Sequence, residues 1–273
     1  MKQSLSIIGA GKVGRVLGQL FNRHQIFSIH DVLNRSLNSS VVACEFIGAG
    51  NAITDFSALQ SADIFMITVP DDQIKSCSQQ LQERGLINSK TIVFHCSGAL
   101  DSSELDLGTG AASLHPLRSF ADPLYVAQHF IPTICTLEGD QQAKAGLTLA
   151  CQKIGAQIVE IDREGKALYH AAAVFASNYL VTLMDAALQT FEAAGIEPDM
   201  AVRMAKPLAQ ETFNNIFQLG TQQALTGPIA RGDSQTVERH HAALKKWDKN
   251  MAALYTELAK STKKMKGRNE ASD

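Results

Sequence analysis

The sequence lacks an excess of charge of either sign. Its 273 residues include 25 Lys and Arg against 27 Asp and Glu, a formal net charge of −2. No chain-wide positive field therefore exists to attract nucleic acid or an anionic membrane surface. The composition, 45% hydrophobic and 19% charged, excludes disordered and collagen-like chains. We expect a small molecule as the partner, and neither nucleic acid nor a membrane.

Cysteines and long hydrophobic runs are also scarce. The five cysteines are odd in number and include no Cys-x-x-Cys pair, which excludes a disulfide-rich mini-protein and gives no metal-site motif. The apolar run before Gly9 is too short for the core of a signal peptide. No segment reaches about 18 uninterrupted apolar residues, the length that spans a bilayer. These absences favour a cytoplasmic protein with reduced thiols and no metal.

Two kinds of pattern divide the chain, as its length of nearly two average domains predicts. Residues 1–161 alternate short apolar runs with amphipathic helical stretches, which indicates a Rossmann-type α/β domain with a doubly wound, mostly parallel sheet. Residues 162–263 are helical throughout and predict an all-helical C-terminal domain for substrate binding and dimerisation, and residues 264–273 predict a flexible tail. The predicted strands are Ser4–Ile8, Asp31–Asn34, Ile64–Val69, Thr91–His95, Ala111–Leu114, Ile131–Leu137 and Gln157–Ile161.

A glycine-rich motif of the form G-x-G-x-x-G follows the first predicted strand and opens an amphipathic helix. In this order the glycines permit a tight turn and a close backbone approach to a dinucleotide pyrophosphate. Free N–H groups at the helix N-terminus would hold the phosphates. The predicted cofactor-binding residues of this loop are Gly9, Ala10, Gly11, Lys12, Val13 and Gly14.

The end of the second predicted strand decides between NAD and NADP. An acidic side chain there binds the ribose 2′-hydroxyl of NAD, whereas a cation binds the 2′-phosphate of NADP. Arg35 offers a forked cation, and its neighbours Asn34 and Ser36 offer neutral donors. Asp31 is the competing NAD candidate, but it lies within the predicted strand. The pattern therefore favours NADP(H).

Polar groups follow three later strands, whose carboxyl ends meet at one edge of the predicted sheet. Val69 and Pro70 form a corner that can line the cofactor groove, since Pro70 has no N–H to compete for hydrogen bonds. Ser97 and Gly98 are candidates for contact with the nicotinamide, and Ser97 also for contact with the substrate. His115 is either a substrate ligand or a residue that orders its own loop.

The helix predicted over residues 165–194 is apolar almost all round, which is typical of a helix buried on most sides. At about 100° per residue, Lys166, His170 and Ser177 share one stripe, with Asn178 further round. Reduction of a carbonyl or imine needs a donor at the heteroatom. Lys166 or His170 is therefore the candidate acid, with Asn178 orienting the substrate and Ser177 contacting it.

Several motifs together resemble one family and run through nearly the whole chain. They are the glycine loop, Val69-Pro70-Asp71-Asp72, His95-Cys96-Ser97-Gly98-Ala99, His115-Pro116-Leu117, Leu168-Tyr169-His170-Ala171-Ala172 with Asn178-Tyr179-Leu180, and Ala224–Asp233. The chain resembles the Rossmann-like oxidoreductases with a C-terminal helical domain of originally unknown function. These are relatives of ketopantoate reductases, pyrroline-5-carboxylate reductases and β-hydroxyacid dehydrogenases. The resemblance implies a homodimer and, for some members, an alternative ketopantoate reductase activity in pantothenate synthesis.

One departure from the related enzymes concerns the catalytic pair. Conventional ketopantoate reductases and β-hydroxyacid dehydrogenases pair a catalytic lysine with an asparagine about one helical turn later. Here His170 stands one turn after Lys166, and the asparagine comes at position 178. Arg231, in the loop before the last helices, either meets a substrate carboxylate or lies at a helix end.

These patterns predict an NADPH-dependent reductase of a small 2-oxo acid, with ketopantoate, reduced to pantoate, as the leading substrate. A cyclic-imine reductase of the pyrroline-5-carboxylate type would share the cofactor and architecture. A non-catalytic NADP-binding sensor would need no acid on the apolar helix.

Overall fold

The computed structural model describes residues 2–108 and 110–266, and all structural statements refer to this part of the chain. The strands are β1 (Ser4–Ile8), β2 (Ser28–Leu33), β3 (Asn51–Ile53), β4 (Ile64–Ile67), β5 (Ile92–His95), β6 (Ala111–Pro116), β7 (Thr133–Gly139) and β8 (Ala156–Glu160). The helices are α1 (Lys12–Arg23), α2 (Leu37–Ile47), α3 (Asp71–Glu83), α4 (Pro123–Gln128), α5 (Gln141–Lys153), α6 (Lys166–Ala176), α7 (Asn178–Ala193), α8 (Pro198–Gln223), α9 (Pro228–Arg231), α10 (Ser234–Trp247) and α11 (Lys249–Lys266). Short 3₁₀ turns occupy Phe56–Ala58, Ser102–Leu105 and Arg163–Gly165.

The strands form one sheet in the order β3-β2-β1-β4-β5-β6-β7-β8. Every neighbouring pair is parallel except β6 and β7, which are antiparallel. The first six positions have the doubly wound order of a dinucleotide-binding sheet, with β1 and β4 adjacent at the point where the order reverses. The predicted fold class, a mostly parallel Rossmann sheet followed by helices, is confirmed.

Buried side chains on both faces hold the sheet. Helix α1 contributes Val16, Leu17, Leu20 and Phe21, which recur at helical spacing and have exposures of 0%. They belong to a cluster on one face of the sheet. A smaller cluster on the other face includes residues of α3 and of the turn Ser102–Leu105. Because helices cover both faces of the sheet, a ligand site is expected at the carboxyl ends of the strands.

The chain divides into two compact units, Met1–Ser177 and Asn178–Asp273. Helix α6 belongs to the first unit, whereas the sequence prediction placed the boundary at residue 161. The physical reason is Lys166, whose side chain extends into the sheet domain and is 2% exposed. Residues 264–266 of the predicted tail belong to α11, and residues 267–273 lie outside the described part.

The second unit contains α7 to α11. Asp233 caps α10 by accepting a hydrogen bond from the Thr236 amide. Helices α10 and α11 are separated at Asp248, where the backbone is extended.

The long helix predicted over residues 165–194 is also interrupted. Ser177 has a non-helical backbone (φ −129°, ψ −68°) between α6 and α7, so the stripe drawn on a continuous helix ends there. The predicted burial of the helix is wrong for the single chain: Leu168 is 79% exposed and Phe175 71%. An 18-residue window within Arg163–Ala193 has a mean hydropathy of 1.4, so by length and composition alone this stretch passes as a membrane-crossing helix.

Candidate active site

The glycine loop joins β1 to α1 with the backbone that the motif requires. Gly9 has φ +85°, and a Cβ there would lie 2.8 Å from the Val69 nitrogen, so a side chain is excluded. A Cβ on Gly14 would lie 2.3 Å from Thr68 Oγ1, which keeps α1 close to β4. Helix α1 starts after Gly11 with no side-chain cap, so its first amides remain available to an anion.

A groove with a volume of 550 Å³ opens along this loop. It is lined by Ile8, Gly9, Ala10, Gly11, Arg15, Leu33, Asn34, Arg35, Asn38, Ser39, Val42, Thr54, Phe56, Thr68, Val69, Pro70, Gln73 and Cys77. Seven residues predicted to bind the cofactor are among them: Gly9, Ala10, Gly11, Asn34, Arg35, Val69 and Pro70. The groove has the glycine-rich floor and the cation that a phosphorylated dinucleotide requires, so these residues fit NADP(H).

Six other predicted cofactor residues do not line the groove: Lys12, Val13, Gly14 and Ser36, and also Ser97 and Gly98, which are described below. Lys12 Nζ donates to the carbonyl oxygen of Ala121 at 3.0 Å, and Val13 packs against the core. Gly14 instead sets the distance between α1 and β4. Ser36 is the N-cap of α2, where its Oγ accepts the Ser39 amide, so Asn38 and Ser39 replace it in the groove.

Asp31, the competing NAD candidate, is 2% exposed. One of its carboxylate oxygens accepts the Gln60 amide at 2.9 Å, and the other accepts a hydrogen bond from Asn51 at 3.4 Å. The carboxylate therefore secures neighbouring segments of the sheet domain, and it is absent from the groove lining, which leaves Arg35 as the charged side chain at the end of β2.

Ser97 follows β5 but has no capacity left for a ligand. Its hydroxyl donates to Asp71 Oδ2 at 2.9 Å and accepts the amides of Ala99 and Leu100. One donor and two lone pairs are all that a serine hydroxyl offers. The side chain of Ser97 therefore orders the loop, and its predicted contacts with nicotinamide and substrate stay predictions.

Gly98 marks the point where two imidazoles converge. A Cβ at this position would lie 2.4 Å from His170 Nδ1 and 2.9 Å from His115 Nε2, so only glycine leaves room for both rings. The rings lie edge to face with centroids 5.9 Å apart. His170 Nδ1 is buried and has no hydrogen-bond partner among the described residues. A buried imidazole nitrogen without a partner is a natural contact for a bound substrate.

His115, at the carboxyl end of β6, is held by helix α6. Its Nδ1 lies 2.7 Å from the Tyr169 hydroxyl. Burial, with help from the nearby His170 and Lys166, lowers the pKa of His115 from 6.5 to about 4, against the opposing effect of Asp71. The imidazole is therefore neutral at pH 7. Both alternatives stated for His115 now have support, since it is fixed to α6 and also faces Gly98.

Lys166 is the first residue of α6 and is buried beneath this cluster. Its Nζ donates to Ser113 Oγ and lies 3.7 Å from Glu138 Oε1. Burial lowers the pKa of Lys166, while Glu138 and Asp101 oppose that effect. The other contacts of Glu138 are the amide and hydroxyl of Ser102, both of which donate to it. The Lys166 ammonium is thus committed to a buried ion pair rather than free at the edge of the sheet.

The remaining predicted residues are distributed over both units. Ser177 is exposed at the end of the first unit. Asn178 begins the second unit, and Arg231 ends α9 there as an exposed residue near Asp233. Their predicted roles as orienting and substrate-binding residues stay predictions.

Sequence reasoning missed two functional candidates, Tyr169 and Glu138. Tyr169 was part of a recognised motif, but its contact with His115 spans 54 residues of sequence. Glu138 lies on an antiparallel strand that the local pattern assigned to a parallel sheet. No signal in the sequence pairs it with Lys166.

Two known domain families match the chain. Residues 1–115 match the Rossmann-like domain family, and residues 133–262 match the domain of unknown function DUF2520. Comparison with curated proteins gives no match. Protein TM1727 from Thermotoga maritima has a similar crystal structure, with 26% identity, a TM-score of 0.74, and coverage of 97% of this chain and 99% of that chain.

Two further solved structures share the fold at lower identity. BF3122 from Bacteroides fragilis, provisionally named an NADP oxidoreductase, has a TM-score of 0.77 at 20% identity over 96% of this chain and 98% of that chain. Pyrroline carboxylate reductase from Plasmodium falciparum, solved with NADP bound, has a TM-score of 0.60 at 12% identity, also over 96% and 98%.

Proposed function

The chain belongs to the proteins that join a Rossmann-like domain to a DUF2520 domain, and from this premise we propose that it is an NADPH-dependent reductase of a small 2-oxo acid. The observation that carries the proposal is the convergence of His170 Nδ1 and His115 Nε2 at Gly98, on the sheet edge that also holds the dinucleotide groove. A reductase needs a proton donor beside the reacting carbonyl. A protein that only binds the nucleotide does not.

The cofactor half of the proposal rests on the groove. Gly9, Ala10 and Gly11 would hold the pyrophosphate with the first amides of α1, and Arg35 with Asn34 would hold the 2′-phosphate. When bound there, NADPH supplies the hydride. The structural relatives named for NADP support this choice.

Replacing Arg35 with alanine should weaken NADPH binding at least tenfold and leave NADH binding nearly unchanged. The 2′-phosphate, which NADH lacks, would lose charged hydrogen bonds worth about 1.5–3 kcal/mol. Titration of each cofactor by isothermal calorimetry measures both effects, with Arg84→Ala as the control, an exposed arginine outside the groove. Equal losses for the two cofactors would refute the NADP assignment.

The substrate half rests on the two imidazoles. We propose that the oxo group lies at Gly98, where His115 and His170 each bring a ring nitrogen that can act as a donor. Such donors stabilise the negative charge that develops on the oxygen as hydride arrives. Lys166 would act indirectly, because its ammonium is already paired with Glu138. Asn178, Ser177 and Arg231 remain proposed contributors to substrate binding.

Ketopantoate is the proposed substrate, and a cyclic imine of the pyrroline-5-carboxylate type is the second candidate. The pyrroline carboxylate reductase among the structural relatives favours the second candidate to a comparable degree. In both reactions the carbon gains hydride and the heteroatom gains a proton from a donor. The substrates are therefore distinguished by assay rather than by architecture.

The test is NADPH oxidation, followed at 340 nm, with ketopantoate, other small 2-oxo acids and pyrroline-5-carboxylate. We expect turnover with a 2-oxo acid. The matched blank is the variant with both His115→Ala and His170→Ala, since neither residue lines the cofactor groove. Turnover with pyrroline-5-carboxylate alone would identify the protein as an imine reductase and refute the assignment of a 2-oxo acid as substrate. NADPH binding without turnover on any compound would favour the sensor.

We also propose that a second copy of the chain covers exposed apolar side chains of α6, among them Leu168. Surfaces of this kind mark protein interfaces. The homodimer, the cytoplasmic location and the lack of nucleic-acid or membrane partners are all parts of this proposal. The buried Lys166–Glu138 pair supports it over a membrane span, because it fixes α6 to the sheet domain.

A further inference from the structure

Tyr169 lies between the imidazole cluster and a second, polar cavity in the sheet domain. Its hydroxyl lies 2.7 Å from His115 Nδ1, and the two rings are edge to face with centroids 5.7 Å apart. The same side chain lines a cavity of 460 Å³ together with Lys144, Glu160 and Glu164. Tyr169 is part-buried, and its side chain lies between the two imidazoles and a cavity lined by charged groups.

The contact with Tyr169 bears on the form of His115 at Gly98. A neutral imidazole carries its proton on one nitrogen and accepts at the other. If Nδ1 accepts from the tyrosine hydroxyl, the proton is on Nε2, the nitrogen that faces the space beside Gly98. Burial raises the pKa of Tyr169, so its hydroxyl keeps its proton and remains a donor.

We propose that Tyr169 and His115 form a proton relay, in which Tyr169 fixes the Nε2-protonated form of His115 and replaces the proton that His115 gives to the substrate. The inference rests on the proposed reductase function, which it extends by naming the source of the proton. His170 is then the second contact to the substrate rather than the acid.

The relay balances as follows. The carbonyl carbon gains hydride, and its π electrons move to the oxygen. That oxygen takes the proton from His115 Nε2, so an O–H bond forms as the N–H bond breaks. His115 Nδ1 takes the proton of the Tyr169 hydroxyl, and the resulting phenolate takes a proton from a hydronium ion or buffer acid that enters the polar cavity. After the product leaves, Nε2 takes a proton from solvent as Nδ1 releases its own, which restores the Nε2-protonated form. The sequence is favourable because an alkoxide is a stronger base than a phenolate.

Groups on two elements surround His115. Lys166 and His170 on α6 and Asp71 at the start of α3 act on its charge. Among the described residues, the hydroxyl of Tyr169 is the hydrogen-bond partner of the His115 ring, and none of these three groups is. The relay therefore depends on one contact that a single substitution removes.

The test is Tyr169→Phe, which removes the hydroxyl and keeps the ring. We expect kcat to fall at least a hundredfold, the lower range for loss of general acid catalysis, with the NADPH dissociation constant unchanged. The control is Tyr125→Phe, at a tyrosine that stacks on His129 with centroids 4.3 Å apart and lies outside the site. That variant should keep the activity of the unmodified protein.

A second readout needs neither cofactor nor turnover. ¹⁵N NMR of the protein without ligands reports which nitrogen of His115 is protonated. We expect Nε2–H in the unmodified protein and a mixture of both forms in Tyr169→Phe. Normal kcat in Tyr169→Phe, or Nδ1–H in the unmodified protein, overturns the relay. Failure of the proposed function is distinct, because it appears as absent turnover in the unmodified protein.

Discussion

Replacing Glu138 with glutamine should lower the free energy of unfolding of the sheet domain by about 3 kcal/mol. Glu138 and Lys166 have side-chain exposures of 5% and 2%, and their charged atoms lie 3.7 Å apart. Removing one partner of such a pair leaves the other charge buried without compensation, which typically costs about 3–5 kcal/mol. Burial already lowers the pKa of Lys166, and losing Glu138 would lower it further.

The matched control is Glu160→Gln, in the same domain. Glu160 pairs with Lys144 at 2.5 Å, but its side chain is 59% exposed, so the loss should stay below about 1 kcal/mol. The single tryptophan, Trp247, lies in the second unit and cannot report on this domain. Hydrogen exchange of the β6 and β7 amides in increasing urea provides the measurement. Equal losses in the two variants would contradict a buried ion pair beneath the site.

Acidification should destabilise the sheet domain through His95, by about 3 kcal/mol between pH 7 and pH 4. His95 is 0% exposed, and its Nδ1 accepts the Ser97 amide while its Nε2 faces the carbonyl oxygen of Asp101. Both nitrogens cannot carry protons without breaking the contact to Ser97. Burial lowers the pKa of His95 from 6.5 to about 4, opposed by the Asp101 carbonyl.

Proton binding explains why acidification destabilises the domain. Between pH 6.5 and pH 4 the unfolded chain has a charged His95 and the folded chain a neutral one. The unfolded state therefore binds more protons, and the free energy of unfolding decreases as the pH is lowered. At 1.36 kcal/mol per pH unit, the range from pH 6.5 to pH 4 gives the expected loss of about 3 kcal/mol in the free energy of unfolding. Lys166, which lowers the pKa of His95 further, and Asp71, which raises it, are the other charges near the ring.

The measurement is the same exchange experiment at pH 7, 5.5 and 4.5. Replacing His95 with glutamine should reduce the slope of stability against pH, whereas His129→Gln, at an exposed histidine on the same domain, should leave the slope unchanged. An identical slope in the His95 variant and the unmodified protein would contradict a neutral, buried imidazole after β5.

The sequence predicted the sheet well because its strands carry their own signal. β1, β4 and β5 are short apolar runs with exposures near zero, and such runs between helices define a doubly wound sheet. β3 was missed because Asn51–Ile53 has only three residues and two of them are part-buried. The antiparallel direction of β7 depends on how α4 returns the chain, which periodicity does not encode.

The candidate site was predictable where function depends on backbone and less so where it depends on long-range contacts. Gly9, Arg35 and His170 were identified because motif and spacing point to them. The hydroxyls of Ser97 and Ser36 accept backbone amides, because small polar residues after strands bind the backbone as readily as ligands, and their predicted ligand contacts stay predictions. The pairing of Lys166 with Glu138 joins residues far apart in sequence, so a pattern along α6 could not show it.

The central claim is hydride transfer from NADPH to an oxo carbon at the edge of the sheet. The direct measurement uses NADPH deuterated at the transferable position of its nicotinamide, with ketopantoate as substrate and mass spectrometry of the product. With the deuterated NADPH we expect deuterium on the carbon that carried the oxo group. With unlabelled NADPH in D₂O we expect no deuterium on that carbon. Oxidation of the deuterated NADPH that leaves the product carbon unlabelled would contradict the central claim.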